Sequence, residues 1–136
     1  MKKILSLFLV VALIFSLSAC SGGISGKEAK GLINDFLLLL EKEDYGAAEA
    51  LLHPSRPADL RAFFEGIETA ENVDFSSISI EKYTGFHTAW YHSSVDGAVY
   101  GLTMKIAISG KDASMEVELV KNSDGYGIYT LDIDID

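Results

Sequence analysis

The chain has 136 residues with one cysteine and two prolines, and it sets 11 basic against 20 acidic residues for a formal charge of −9 at pH 7. That length suits one domain around one core, and a single thiol excludes an internal disulfide. A surface this acidic repels phosphate backbones, so nucleic acid is excluded as a partner, while cationic ligands, metal ions and basic protein surfaces stay open.

Lys2 and Lys3 precede an apolar run from Ile4 to Leu17, broken only by Ser6 and Ser16, after which the chain turns small and polar. A helix over that run would span about 21 Å, short of the roughly 30 Å of a bilayer core. The basic start, short apolar middle and small-residue end mark residues 1–19 as a cleaved export signal. Cys20 follows at once, at the foot of Ser21-Gly22-Gly23. A nucleophilic thiol needs a base and a formed pocket, which such a flexible context does not supply. Leu17-Ser18-Ala19-Cys20 resembles the lipobox of bacterial lipoproteins. The resemblance implies cleavage before Cys20, a diacylglyceryl group on its thiol, and an extracytoplasmic domain held at the cell membrane, with residues 20–24 as lipidated cysteine and tether. Two acyl chains suit that role, since one alone binds a membrane only marginally.

Residues 25–136 read as the domain. Ser25 and Glu28 form a capping box, and Ala29, Leu32, Ile33, Phe36, Leu37 and Leu40 then repeat at helical spacing. Asp44 is placed to cap a short second helix carrying Tyr45, Ala48, Leu51 and Leu52, which Pro54 stops near His53. A third helix is expected from about Pro57, with Leu60, Phe63, Phe64 and Ile67 on its apolar face.

After Asn72 the period changes to two. Ala98 to Ile108, Met115 to Leu119 and Tyr129 to Ile135 alternate as half-buried strands do. A turn at Gly110-Lys111 would pair Ile106 with Met115 and Leu102 with Leu119. A three-residue loop Ser123-Asp124-Gly125 would pair Leu119 with Tyr129, Val117 with Leu131 and Met115 with Ile133. Turns at Asp96-Gly97 and, more loosely, Thr84-Gly85 would add two strands, setting His87 opposite Ile106 and Tyr91 opposite Leu102. The expected architecture is α+β, with N-terminal helices on one face of a curved antiparallel sheet of about five strands.

The helix phrase "EDYGAAEALLHP" and the final strand "DGYGIYTLDID", in that order of elements, resemble the small NTF2-like or cystatin-like domains found in many bacterial lipoproteins. The resemblance implies a sheet wrapped like a cone around the long helix, whose open end often forms a pocket. That class holds enzymes, binding modules and accessory domains, so it does not choose among functions.

By the expected register His87, Tyr91, Ser93 and Tyr100 share the core face. His87 is then the candidate base of a small lyase or isomerase, and Tyr91 and Tyr100 are candidate ligand contacts beside it. No carboxylate joins them there. The plainer role is to ring the core with their polar ends at its rim. Trp90 and His92 are expected on the polar face, and His53 at a helix end, where positive charge suits the dipole. Glu116 opposite Asp132, with Asp134 nearby, is a conceivable divalent-cation site, although such a tail more simply solubilises an edge strand. The sequence has no Gly-rich phosphate loop, HExxH, nucleophile elbow or CxxC, so no cofactor is implied. Three readings follow: a non-catalytic lipoprotein domain binding a small ligand or an envelope protein, a lyase or isomerase using His87, and an accessory domain for cell-wall or transport machinery.

Overall fold

The computed structural model describes residues 23–92 and 95–136, and for residues 91, 92 and 95 the backbone alone. The expected export signal, Cys20 and Ser93 lie outside the described residues, as does the side chain of Tyr91. Among the described residues, three helices, α1 (Gly26–Glu41), α2 (Tyr45–Glu49) and α3 (Leu60–Glu71), and a 3-10 turn (Phe75–Ser77) precede four strands, β1 (Ser79–His92), β2 (Val95–Ile108), β3 (Lys111–Asn122) and β4 (Gly125–Ile135). The strands form one open antiparallel sheet in the order β1-β2-β3-β4.

Each helix starts where a side chain satisfies its first free N–H groups. Ser25 Oγ accepts from the Glu28 N–H at 3.1 Å, Asp44 Oδ1 from Ala47 at 3.2 Å, and Asp59 Oδ1 from Ala62 at 3.0 Å. The cap at Asp59 moves the start of α3 past Pro57, and α2 ends at Glu49, leaving Leu51 and Leu52 outside it. At the other end of α3, Asn72 takes the left-handed conformation and Lys111 Nζ donates to the Glu71 carbonyl at 2.7 Å, a cation on the negative end of the helix. Asp74 caps the 3-10 turn, and hydrogen bonding by Ser76 holds its carboxyl below the usual carboxylate range.

The core lies between the helices and one face of the sheet. Ala29, Ile33, Phe36, Leu37 and Leu40 of α1 and Leu60 and Phe64 of α3 are buried against Leu102, Met104, Ile106, Met115, Val117 and Leu119. Phe64 is the hub, with its ring 4.7 Å from Phe75, 6.2 Å from Phe36 and 6.3 Å from Tyr45. Burying a side chain of that size contributes roughly 2–3 kcal/mol. Ile24, assigned to the tether from sequence, already packs on this core.

Leu102, Val117 and Leu131 align across three strands on the helix side, as the alternation requires. The turns differ from expectation. The β2–β3 turn is Ser109-Gly110, both left-handed at φ 53° and 75°, so Ile106 meets Ala113, Met104 meets Met115 and Leu102 meets Val117. The shift is two residues, which preserves every face. Ser109 keeps this uncommon backbone because its N–H donates to Ser77 Oγ at 2.8 Å while its own Oγ accepts from the Asp74 N–H at 2.9 Å. On the other side of β3, Val117 pairs with Leu131 and Met115 with Ile133 as expected, but a bulge at Glu118/Leu119 pairs Leu119 with Ile128 instead of Tyr129.

The largest difference is in β1. Residues 79–92 form one strand, with no turn at Thr84-Gly85, so the sheet has four strands among the described residues. The connection to β2 falls after His92, not at Asp96-Gly97, and three irregularities shift the register on the way. His87 therefore lies opposite Gly101, and Phe86 opposite Leu102. This moves His87 from the expected core face to the outer face and turns Phe86 toward the helix side.

Candidate functional site

Beta4 is an edge strand, and its two halves are treated differently by the chain. The segment after α2 runs alongside its first half: the His53 N–H donates to the Ile128 carbonyl at 2.8 Å and the Ile128 N–H to the Leu51 carbonyl at 2.9 Å, a short parallel pairing centred on Leu52. Gly127 permits this approach, since a Cβ there would stand 2.6 Å from the His53 nitrogen and the Leu52 carbonyl carbon.

His53 fixes the strap. The ring is fully buried, Nδ1 accepts from the Ser55 N–H at 3.1 Å, and Nε2 lies 3.0 Å from Asn122 Oδ1. A nitrogen that accepts from a backbone N–H carries no proton, so Nε2 is the ring's donor to Asn122. Asn122 Oδ1 also accepts from the Asp124 and Gly125 N–H groups, while its Nδ2 donates to the Asp96 carbonyl. One amide side chain thus joins the strap, the β3–β4 turn and the start of β2. His53 is a buried structural acceptor and donor, a correction to its expected role as a cation at a helix end. The strap then crosses to the outer face, where the Arg56 guanidinium covers the Tyr129 ring at 4.6 Å and Tyr129 packs with Val99 and Val120. The bulge in β4 is what turns Tyr129 to that side.

Beyond the strap, no other strand among the described residues pairs with this edge. The Asp136 N–H donates to the Asp112 carbonyl on β3 at 3.1 Å, and antiparallel alternation from that pair turns the backbone N–H and C=O groups of Leu131, Ile133 and Ile135 away from β3. Their side chains face the helix side and are only half-buried. Helix α3 runs beside them at a distance, leaving a groove of two depressions, about 290 Å³ and 310 Å³, that share Phe63. The first lies between Leu52, Leu60 and the Ile128–Leu131 stretch, the second between Ile67, Ala70, Ile133 and Ile135. Phe63 is 39% exposed, which is high for a large apolar side chain on a helix that faces a core. Asp132, Asp134, Asp136 and Glu71 are exposed along the rim.

Of the expected site residues, His87 and Tyr100 fall on opposite faces of the sheet. His87 is half-exposed, with Nε2 3.3 Å from Glu118 Oε2 on the open outer face, and its ring occupies the space over Gly101 where any Cβ would stand. The sequence sets no carboxylate beside it, whereas the observed register supplies Glu118, across from Gly101 on the neighbouring strand. Tyr100 is buried on the core side beneath the exposed Phe86 ring, at 6.0 Å and 11° between planes, with its hydroxyl end against Gly26. Glu116 and Asp132 do face each other, next to Asp134 beside a shallow depression that also holds Ser114 and Thr84. No group of three or more His, Cys, Asp or Glu side chains among the described residues is close enough to hold a metal ion. Trp90, expected on the polar face, is exposed and borders a depression of about 210 Å³ that Gly23, Ile24, Ala98 and Val99 also line.

The groove was missed because it depends on the gap between α3 and β4, and no residue pattern encodes a gap. Its one sequence signal is the "LDIDID" stretch, in which an apolar row alternates with aspartates. No helix among the described residues is long and apolar enough to cross a membrane. Compared with family models, with curated proteins and with solved structures, the chain matches none of them.

Proposed function

We propose that the chain is a bacterial lipoprotein, anchored through Cys20 on the outer side of the cell membrane, whose domain binds an extended segment of an envelope protein without chemical turnover. The order of three helices before an antiparallel meander supports kinship with NTF2-like or cystatin-like domains. The observation that carries the binding reading is the open half of β4. Leu131, Ile133 and Ile135 offer unpaired edge backbone above an apolar floor that Phe63 and Ile67 complete. Adding a strand there would continue the pairing that Leu51 and His53 begin at Ile128. The exposed Asp132, Asp134, Asp136 and Glu71 favour a segment that alternates apolar with basic residues.

Amide hydrogen exchange on the full chain tests this with short peptides alternating Val with Lys, or Val with Glu. The lysine peptide is expected to slow exchange at Leu131, Ile133 and Ile135, and the glutamate peptide to leave them unchanged. Equal exchange with and without the lysine peptide rejects the groove as a strand-binding site. The anchor is tested separately: Cys20→Ser is expected to release the processed protein from the membrane fraction, and continued tight association contradicts lipidation there.

The lyase or isomerase reading has weaker support. Its base, His87, stands half-exposed on the outer face, where water competes for any proton it would move.

A further inference from the structure

Two of the most exposed large apolar side chains lie on one strand: Phe86 is 70% exposed and Trp90 65%. Phe86 stacks over Tyr100, and beside it the Lys30 ammonium lies 4.6 Å from the centre of the Tyr83 ring. Trp90 borders the depression that Gly23 and Ile24 line. The chain therefore enters the domain against Trp90. Cys20 is three residues before Gly23, a reach of about 10 Å at full extension.

Nothing in the core needs this arrangement. Burying Phe86 or Trp90 elsewhere would contribute roughly 2–3 kcal/mol that the fold forgoes. An aromatic pair with lysines beside it, here Lys27 and Lys30 exposed on the first turns of α1, is the composition of surfaces that sit at the level of lipid headgroups. The acidic tip of β4 lies at the opposite end of the strands: Ile135 pairs with Ala113, and Ala113 with Ile106, whereas Trp90 neighbours Ala98.

We propose that the Phe86–Trp90 margin of β1 is a membrane-docking face, which the bilayer interface covers when the acyl chains on Cys20 are inserted. This rests on the lipid-anchor reading. It also sets an orientation. Beta1 and β4 are opposite edges of the sheet, about 14 Å apart over three interstrand spacings, so a domain resting on its β1 margin holds the β4 groove away from the lipid.

Trp90 is the only tryptophan in the chain, so intrinsic emission reports this position alone. The full chain, isolated from membranes and reconstituted into phosphatidylcholine vesicles, is compared in ordinary lipid and in lipid with brominated acyl chains. The expected result is a blue-shifted Trp90 emission that brominated lipid quenches, with Phe86→Ser losing part of both effects. A solvent-like emission without quenching overturns the docking face. A blue shift that brominated lipid does not quench assigns the face to a second copy or another protein, and overturns it equally. Mass analysis of the N-terminal peptide separates the two readings. Acylated Cys20 with unquenched Trp90 leaves the anchor standing and removes the docking face, and an unacylated chain removes both.

Discussion

The two edges of the sheet solve the same physical problem in opposite ways. An edge strand presents unpaired backbone groups and invites another chain to pair with it. Beta1 breaks its own ladder with three register shifts within residues 80–91, so a passing strand would meet an uneven row of donors and acceptors. Beta4 has one bulge, at Tyr129 opposite Glu118/Leu119 of β3, and runs in unbroken register from Thr130 to Ile135. Its first half is guarded by the strap at Leu52, and its second half is left bare. The contrast shows that an edge can be protected by irregularity or by cover, and that an even, half-covered edge is available for use.

The largest expected effect comes from uncovering β4. Gly127→Ala should cost about 3 kcal/mol or more, because the new Cβ meets backbone atoms that cannot yield, and urea denaturation reads the loss. The matching change on the other edge, Gly85→Ala, meets only the Thr103 hydroxyl at 3.0 Å and should cost below about 1 kcal/mol. Equal losses at both positions would erase the distinction between the edges. Asn122→Ala comes next. It removes the acceptor shared by His53, Asp124 and Gly125, at about 2–3 kcal/mol, and should speed exchange of the His53 and Ile128 amides while sparing β1. His87→Ala on β1 should shift stability by less than about 0.5 kcal/mol, since its contact with Glu118 is half in water.

The smallest effect belongs to Asp74, away from both edges. Its carboxyl is held below the usual range, so the stability it contributes is present above that range and fades as pH falls through its lowered folded value. Asp74→Asn should flatten that part of the acid limb of a stability–pH curve. An unchanged limb would mean that the cap at Ser76 does not persist in solution.

The alternation in β2, β3 and Leu131 to Ile135 made the helix-side face of those strands legible, because a strand with one buried face declares its parity in every second residue, although the bulge sends Tyr129 to the other face. Turn positions were less legible. Gly110 marks the β2–β3 turn, but whether it fills the first or second place depends on Ser109, whose left-handed backbone is held by Ser77 and Asp74, 32 and 35 residues earlier. Beta1 was misread because its bulges break the period on which the reading relied, and this displaced His87 from the expected core face to the outer one. The His53 site was illegible for another reason: its partners, Ser55 and Asn122, belong to segments 69 residues apart at the extremes, and a histidine before proline carries no mark of what will meet its ring.

The strands join only to their neighbours in the chain, through short connections. Such a sheet is assembled from near contacts and can form quickly. The helices precede it, so a ribosome releases Phe36, Leu40 and Phe64 before their partners exist. Until Met104, Met115 and Val117 have been synthesised, those side chains are a liability that only keeping the chain extended, or shielding it, removes. In this order of elements the helices can bury their apolar faces only after the strands that cover them have followed.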